Sequence, residues 1–210
     1  MGSDKVMVTG GAGFIGSHVA DLLVSEGYDV VVLDSLMTGK RDNVKSGVRL
    51  LELDLRDIEF AQAFSEERPR YVIHHAAQPS VQTSLVDPIH DADVNIMGSL
   101  LLLEQCKNNG VEKFIYVSSG GAVYGEPKVL PCDEDHVTRP LSAYGASKLA
   151  IEIYLPIFAK QFGIDYTILR YANVYGPRQD PNGEAGVVAI FTNRMLKKQE
   201  VIINGSGEQE

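Results

Sequence analysis

Short runs of apolar residues alternate along this chain with longer stretches in which apolar positions recur every three or four residues. The runs fall at 6–9, 29–33, 49–53, 71–74, 113–118 and 166–170, and read as strands. Their apolar character is continuous rather than alternating, as expected of strands covered on both faces. The spaced stretches between them, near 14–26, 90–108 and 144–162, read as amphipathic helices. Strand and helix in alternation predict an α/β fold, a doubly wound parallel sheet of the Rossmann kind. The segment through the 120s and 130s is rich in Gly and Pro and reads as a loop. Pro156 interrupts the 144–162 pattern, and is expected to kink that helix or end it early. After Arg170 turn signals dominate as far as Gly186, and 187–198 reads as one more amphipathic helix.

The first strand leads directly into Gly10-Gly-Ala-Gly13-Phe-Ile-Gly16 and then into a helical pattern carrying Ile15, Val19, Leu22 and Leu23. Strand, glycine turn and helix form the context that a dinucleotide fingerprint requires. Gly10 suits the tight turn, Gly13 the close approach of backbone N–H groups to a pyrophosphate, and Gly16 close packing of the helix. The phosphates belong at the helix N-terminus, where free N–H groups and the dipole favour anions. The second strand ends at Asp34, 18 residues after Gly16. That is near the roughly 20-residue offset of an acid that binds ribose hydroxyls. A carboxylate there repels a 2′-phosphate, so the expected cofactor is NAD and not NADP.

Tyr144 and Lys148 stand four residues apart in Ser-Ala-Tyr-Gly-Ala-Ser-Lys, which puts both on one face of a helix. A neighbouring ammonium favours a phenolate, so Lys148 is expected to lower the pKa of Tyr144 and make the pair a proton acceptor and donor near neutral pH.

Composition narrows the field. The 210 residues are 44% hydrophobic and 22% charged, with a net charge of −9 and no basic cluster. That argues against nucleic acid as a partner. The longest apolar run, 100–103, is far short of a membrane span. The N-terminal apolar stretch is too short for a signal peptide, and Met1-Gly2 is followed by Val6 where a myristoylation signal needs Ser or Thr. Two cysteines, Cys106 and Cys132, form no metal or redox motif, and the simple reading is a reducing, cytoplasmic setting. Other polar groups have plain readings. His74 and His75 point to opposite faces of a strand and cannot share a metal. His90, Asp91 and Asp93 read as a solvated helix start, Asp133-Glu-Asp135 as a surface cluster, and Glu184 as a surface residue on the presumed substrate side. Arg178 reads equally as a phosphate partner and as half of a structural salt bridge.

The motifs taken together resemble the extended short-chain dehydrogenase/reductase family, and within it the NAD-dependent nucleotide-sugar epimerases. The matching pieces are Thr9 to Gly16, Val32-Leu-Asp34, Asp54-Leu55, His75-Ala-Ala-Gln78, Ser118-Ser119, Val123-Tyr-Gly125, Tyr144 to Lys148 and Arg170 to Arg178, in family order along nearly the whole chain. The resemblance implies that residues 1–172 form an NAD-binding domain carrying Tyr144 and Lys148. Residues 173–210 would begin a smaller substrate domain that family members continue for roughly another hundred residues. On that basis the chain is expected to be a fragment or truncated product, with much of the sugar pocket beyond residue 210.

The resemblance also implies roles. Phe14, Ile15 and Ser35 join the glycines and Asp34 around the cofactor. Asp54 and Leu55 match adenine contacts. Ala76, Ala77 and Gln78 match the loop near the phosphate and nicotinamide side, and Asn95, Ser118 and Ala172 complete the cofactor set. Asn173, Val187 and Val188 match residues that touch the nucleotide sugar, with Ser119 and Tyr144. One position departs from the family pattern: the Ser or Thr expected four residues before Tyr124 is Gly120. Either Ser119 takes its place, or water or Tyr144 alone handles the proton; Ser119 is the candidate. The implied reaction is epimerisation at C4 of a UDP-hexose, UDP-glucose or UDP-galactose, through a transient 4-keto sugar, in a homodimer built on the helices near 90–108 and 144–162. Two rivals stand beside it. A 4,6-dehydratase or decarboxylase of the same family would want acidic residues where Gly121 and Ala122 stand. A non-catalytic NAD-sensing module would usually have lost the Tyr–Lys pair.

Overall fold

The computed structural model describes residues 3–182, 186–203 and 205–207. The chain divides into two compact units, Met1–Ala172 and Asn173–Glu210.

The first unit is built on six parallel strands: β1 (Lys5–Thr9), β2 (Asp29–Leu33), β3 (Arg49–Leu51), β4 (Tyr71–His74), β5 (Lys113–Ser119) and β6 (Asp165–Tyr171). Their order across the sheet is β3-β2-β1-β4-β5-β6, with every neighbouring pair parallel. Chain direction across the sheet reverses between β1 and β4. The crevice outside the carboxyl ends of those strands is where an open α/β sheet binds ligands. The expected doubly wound sheet is therefore present. The strand runs are continuously apolar because both faces are covered. One core layer gathers Met7, Val31, Val72, Phe114 and Tyr116 with Phe64, Leu102 and Leu155; the other gathers Val6, Val8, Val30, Val32 and Ile73 with Ala20.

The helices of this unit are α1 (Phe14–Ser25), α2 (Phe60–Glu67), α3 (Val81–Val86), α4 (Pro88–Ala92), α5 (Gly98–Asn109), α6 (Gly120–Val123) and α7 (Ala143–Phe162). Three differ from the expectation. The helix foreseen over 90–108 is two helices, α4 and α5, joined by a wide π turn at Asp93–Met97. Pro88 supplies the fixed φ of a first helical position and Asp87 caps it, accepting from the His90 N–H at 2.9 Å. The glycine-rich 120s are not loop throughout, since α6 begins immediately after β5. Pro156 does not end α7, which continues to Phe162; the proline itself is exposed. The third strand is also two residues shorter than expected, at the sheet edge where only β2 pairs with it.

The second unit contains α8 (Val187–Leu196), which buries none of its residues completely. Glu184 and Met1-Gly2 lie outside the described residues.

Candidate functional site

The turn after β1 is built for close backbone approach. Gly10 has φ +67°, and a Cβ on it would stand 2.6 Å from the Ala76 nitrogen, so only glycine fits between the first and fourth strands. A Cβ on Gly16 would lie 2.2 Å from the Gly10 carbonyl oxygen, which fixes how tightly α1 seats on the turn. Helix α1 starts at Phe14 with Gly13 as its N-cap and no side chain capping it. The first-turn N–H groups, those of Phe14 and Ile15 among them, are left for an anion. This cradle fits a dinucleotide pyrophosphate.

Asp34 is buried at the end of β2. One carboxylate oxygen accepts the Ala12 N–H and the other the Leu36 N–H, each at 2.9 Å. The loop folds over it so closely that a Cβ on Gly39 would be 2.6 Å from Oδ1. Ser35 beside it is exposed. At the end of β3, Asp54 accepts from Arg56 Nε and Nη2, each at 2.7 Å, and this guanidinium holds its carboxyl below the usual range. Arg56 also reaches Asp93 at 2.6 Å. Leu55 is buried in the core.

The loop after β4 is held by a network of polar side chains. His74 sits between Thr9 Oγ1 at 2.7 Å and Ser99 Oγ at 2.8 Å. Ser99 donates to the Asn95 carbonyl at 2.6 Å, so His74 Nε2 donates to Ser99 and Nδ1 accepts from Thr9. Thr9 Oγ1 in turn accepts the Ala76 N–H at 3.3 Å. Asn95 Oδ1 accepts the Gln78 N–H at 2.8 Å, while Asn95 Nδ2 faces Gln78 O, Asp91 Oδ1 and Ser147 Oγ at 3.1, 3.0 and 3.3 Å. Ala76, Ala77 and Gln78 thus present a backbone fixed at both ends. His75 packs against Tyr171, and both of its ring nitrogens are buried without a partner. Burial without a partner holds the ring neutral and draws its pKa down to about 4.

Asp91 corrects the sequence reading. It is not a solvated helix start but 1% exposed, accepting from Gln78 Nε2 at 2.8 Å as well as from Asn95. The signal was the four-residue spacing of Asp91 and Asn95, which puts both on one helix face.

Tyr144 and Lys148 occupy the first turns of α7, whose N-cap Ser142 accepts the Gly145 N–H at 3.0 Å. Lys148 is buried. Its Nζ donates to the Val117 carbonyl at 3.0 Å and lies 5.2 Å from the Tyr116 ring centre and 5.8 Å from that of Tyr144. Burial pulls the ammonium down to about 8, with Asp91 opposing. The Tyr144 phenol is pushed up by burial, and a hydrogen bond with Ser119 opposes that. The expected lowering of Tyr144 by Lys148 is therefore not what the structure gives: desolvation dominates, and the ammonium is turned to a carbonyl.

Ser119 ends β5, on the side of the phenol whose rise in pKa it opposes. A Cβ on Gly120 would stand 3.2 Å from the carbonyl oxygens of Arg170 and Tyr171, so the backbone there is pressed against β6 and leaves little room for a side chain. Ser118 turns its hydroxyl to Glu152 Oε1 at 2.5 Å. Glu152 holds Arg170 through Nη2 at 2.6 Å and Nε at 3.1 Å, and Arg170 Nη1 reaches the Tyr124 hydroxyl at 3.1 Å and the Glu134 carbonyl at 3.0 Å. The sequence reading missed this braces-like pair. Glu152 follows Lys148 by the same four residues that separate Lys148 from Tyr144, which would have placed all three on one face.

The residues foreseen in the first unit thus gather at the carboxyl ends of the strands: Gly10 to Gly16, Asp34, Asp54, Ala76 to Gln78, Ser118 and Ser119, with Tyr144 and Lys148 above β5. Ala172 is exposed just after β6. In the second unit, Asn173, Val187 and Val188 are all exposed. A concavity of about 400 Å³ there is lined by Tyr175, Pro177, Gln179, Val188, Thr192 and Asn193, among others.

Residues 6–210 match the NAD dependent epimerase/dehydratase family. A putative UDP-glucose 4-epimerase of Methanocaldococcus jannaschii is 47% identical over 204 residues, which cover 97% of this chain and 67% of that protein. The UDP-glucose 4-epimerase of Mycolicibacterium smegmatis is 42% identical over 208 residues, covering 97% and 66%. The crystal structure of the Thermotoga maritima UDP-glucose 4-epimerase with UDP-glucose superposes with a TM-score of 0.94 at 53% identity, covering 97% of this chain and 67% of that one. The chain spans about two thirds of the length of these relatives. Fingerprint turn, strand order and the Tyr144–Lys148 face agree with the match along residues 6–210, and the chain belongs to the NAD dependent epimerase/dehydratase family.

Proposed function

We propose that this chain is the NAD-binding and catalytic part of a UDP-sugar 4-epimerase, interconverting UDP-glucose and UDP-galactose. Residues 1–172 hold NAD and the proton-transfer groups, and residues 173–210 begin the substrate-binding part. The observation that carries the reading is the buried Tyr144 phenol with the Lys148 Nζ 5.8 Å from its ring centre, on α7, together with a glycine turn shaped as a dinucleotide cradle.

NAD is held by the α1 N-terminus with Gly10, Gly13, Phe14, Ile15 and Gly16, by Asp34 and Ser35 at the ribose, by Asp54 and Leu55 at the adenine, and by Ala76, Ala77, Gln78, Asn95, Ser118 and Ala172 towards the nicotinamide. Bound NAD supplies a reversible two-electron acceptor for C4, so the sugar is oxidised and reduced again without net change. Tyr144, as phenolate, takes the proton from the C4 hydroxyl and later returns it. Ser119 donates to the same oxygen and keeps it oriented. Lys148 stabilises the phenolate by its charge and binds ribose hydroxyls. Asn173, Val187 and Val188 contact the nucleotide sugar. Helix α6 reads Gly-Gly-Ala-Val and offers no carboxylate for eliminating water, which favours epimerisation over dehydration.

A homodimer in a cytoplasmic, reducing compartment completes the reading. Its support is an exposed apolar face that includes Ile89, Met97 and Leu101 on one side and Ile153 and Ile157 on α7, together with two free cysteines. No helix among the described residues is long and apolar enough to cross a membrane.

The test is to incubate the full-length protein with UDP-galactose and follow UDP-glucose by NMR. Conversion without accumulation of free NADH supports the reading. A 4-keto-6-deoxy product would replace it with the dehydratase, and NAD binding without any sugar turnover with the sensing module.

A further inference from the structure

The phosphate cradle depends on a peptide that is held from outside the glycine turn. Ala12 is fully buried between Gly11 and Gly13, the N-cap of α1. Its N–H donates to Asp34 Oδ2 at 2.9 Å. Its carbonyl accepts twice, from the Lys40 N–H at 3.0 Å and from Asn43 Nδ2 at 2.8 Å. The carbonyl can only accept, so it is the amide nitrogen of Asn43 that faces it. Across the same peptide the Gly13 N–H donates to the Gly10 carbonyl at 3.1 Å. A trans peptide sets its C=O and N–H in opposite directions, so these contacts fix the Ala12–Gly13 plane at both ends.

That plane decides what an anion meets. A carbonyl turned towards the start of α1 would put the negative end of a dipole where the cradle needs N–H groups. Lys40 and Asn43 draw it to the loop after β2 instead. The next peptide carries the Phe14 N–H, set by a Gly13 in extended backbone with φ −74° and ψ 178°. Gly13 has no side chain to brace this geometry, and no side chain caps α1. The aim of the Phe14 and Ile15 N–H groups therefore depends on the peptide before them.

The loop after β2 has the rigidity such a role requires. Residue 36 passes through φ +58°, a conformation that leucine rarely adopts, and its N–H is held by Asp34 Oδ1 at 2.9 Å. The loop closes in a 3-10 turn at Arg41–Asn43, where the Asn43 N–H returns to the Lys40 carbonyl at 2.9 Å. Val44, the next residue, packs on the core layer of Val30 and Val32. Asn43 is thus anchored to the sheet, half-buried, and reaches a turn 31 residues away in sequence.

We propose that Asn43 is a positioning residue for NAD: its side-chain amide holds the Ala12 carbonyl out of the cradle, and so aims the first N–H groups of α1 at the cofactor's diphosphate. This role rests on the reading of the glycine turn as an NAD site, and not on which sugar is turned over. Asp34 serves the ribose and Asn43 the phosphates, so the two parts of the cofactor respond separately to a change at Asn43.

The experiment compares Asn43→Ala and Asn43→Asp with the parent in the full-length protein. NADH binding is read by its fluorescence, ADP and adenosine by displacement of NADH, and stability by urea unfolding without ligand. Alanine removes one of the two donors to the Ala12 carbonyl. Aspartate keeps the shape and sets an acceptor against it. Affinity for NADH and ADP should fall about threefold to tenfold in the alanine variant and further in the aspartate variant. Adenosine, which carries no phosphate, should keep its affinity within about twofold. Should the aspartate variant fail to fold, the alanine variant gives the same comparison. Equal losses for ADP and adenosine overturn the proposal and make Asn43 a structural prop of the Asp34 loop. Unchanged ADP affinity in a folded variant overturns it as well, since the cradle is then indifferent to Asn43. A parent that binds no NADH removes the cradle and this role with it. The expected binding pattern in a protein that epimerises no UDP-sugar leaves the role standing and removes the epimerase reading instead.

Discussion

Burial works against both members of the catalytic pair. It raises the Tyr144 phenol and lowers the Lys148 ammonium, each away from the charged form that proton abstraction needs. The Ser119 hydrogen bond and the Asp91 carboxylate oppose those trends, and the positive nicotinamide of bound NAD would lower the phenol further. Turnover should therefore fall above about 8 as Lys148 loses its proton, a limb that steady-state rates across pH 6–10 would reveal. Tyr144→Phe removes the acceptor outright, and kcat should fall by about 10²–10⁴-fold with NAD still bound. Ser119→Ala should cost less, about tenfold to a hundredfold, because the phenol remains. Unchanged turnover in the serine variant would show that another group orients the hydroxyl. The Tyr–Lys spacing and the Ser119 candidate could be read from the chain. Direction of the pKa shifts could not, because desolvation depends on what covers the pair. Asp91 escaped for the same reason: a charge at a helix start reads as solvated unless the amides that bury it, Gln78 and Asn95, are known to meet there.

Among the elements, legibility followed burial. Strands covered on both faces announce themselves as continuous apolar runs, and five of the six fall within a residue or so of expectation; β3, paired on one side only, ends early. The stretch 90–108 misled because a π turn inserts extra backbone between α4 and α5, which breaks the 3.6-residue period while keeping the apolar count. That wide turn carries Asn95, which serves the loop after β4, so the irregularity sits where the site needs it. The glycine turn was fully legible, since strand, turn and helix follow one another in sequence. It also gives a sharp test. A methyl at Gly16 would stand 2.2 Å from the Gly10 carbonyl oxygen, a backbone atom that cannot move without shifting the cradle. Gly16→Ala should destabilise the fold by about 1–3 kcal/mol, as overpacking does, and weaken NAD binding by about tenfold or more. Urea unfolding and a cofactor titration measure the two effects separately.

At the scale of the whole molecule, two neutral histidines tie stability to pH. His75 is held at about 4 and His74 well below 6.5, both by burial. Between those values the unfolded chain binds protons that the folded one refuses, so stability is complete above pH 6.5 and is lost as pH falls towards 4. His75 alone accounts for up to roughly 3 kcal/mol of that loss. Urea midpoints should fall from pH 7.5 to pH 5, and His75→Phe, which keeps the ring packed on Tyr171, should flatten the dependence. The same scale holds the question of assembly. Ile89 is 81% exposed, Ile153 62% and Ile157 50%, and α4 and α5 both pack beside α7. In the proposed homodimer a second copy of the chain would bury its own matching residues against these. Charged residues at such a face cost nothing in the free monomer but must be desolvated in a dimer. The double variant Ile89→Asp, Ile153→Asp should therefore keep its fold by circular dichroism while sedimenting at monomer mass, where the parent sediments as a dimer. A parent that sediments as a monomer at all accessible concentrations, or a variant that stays dimeric, would place the assembly surface elsewhere.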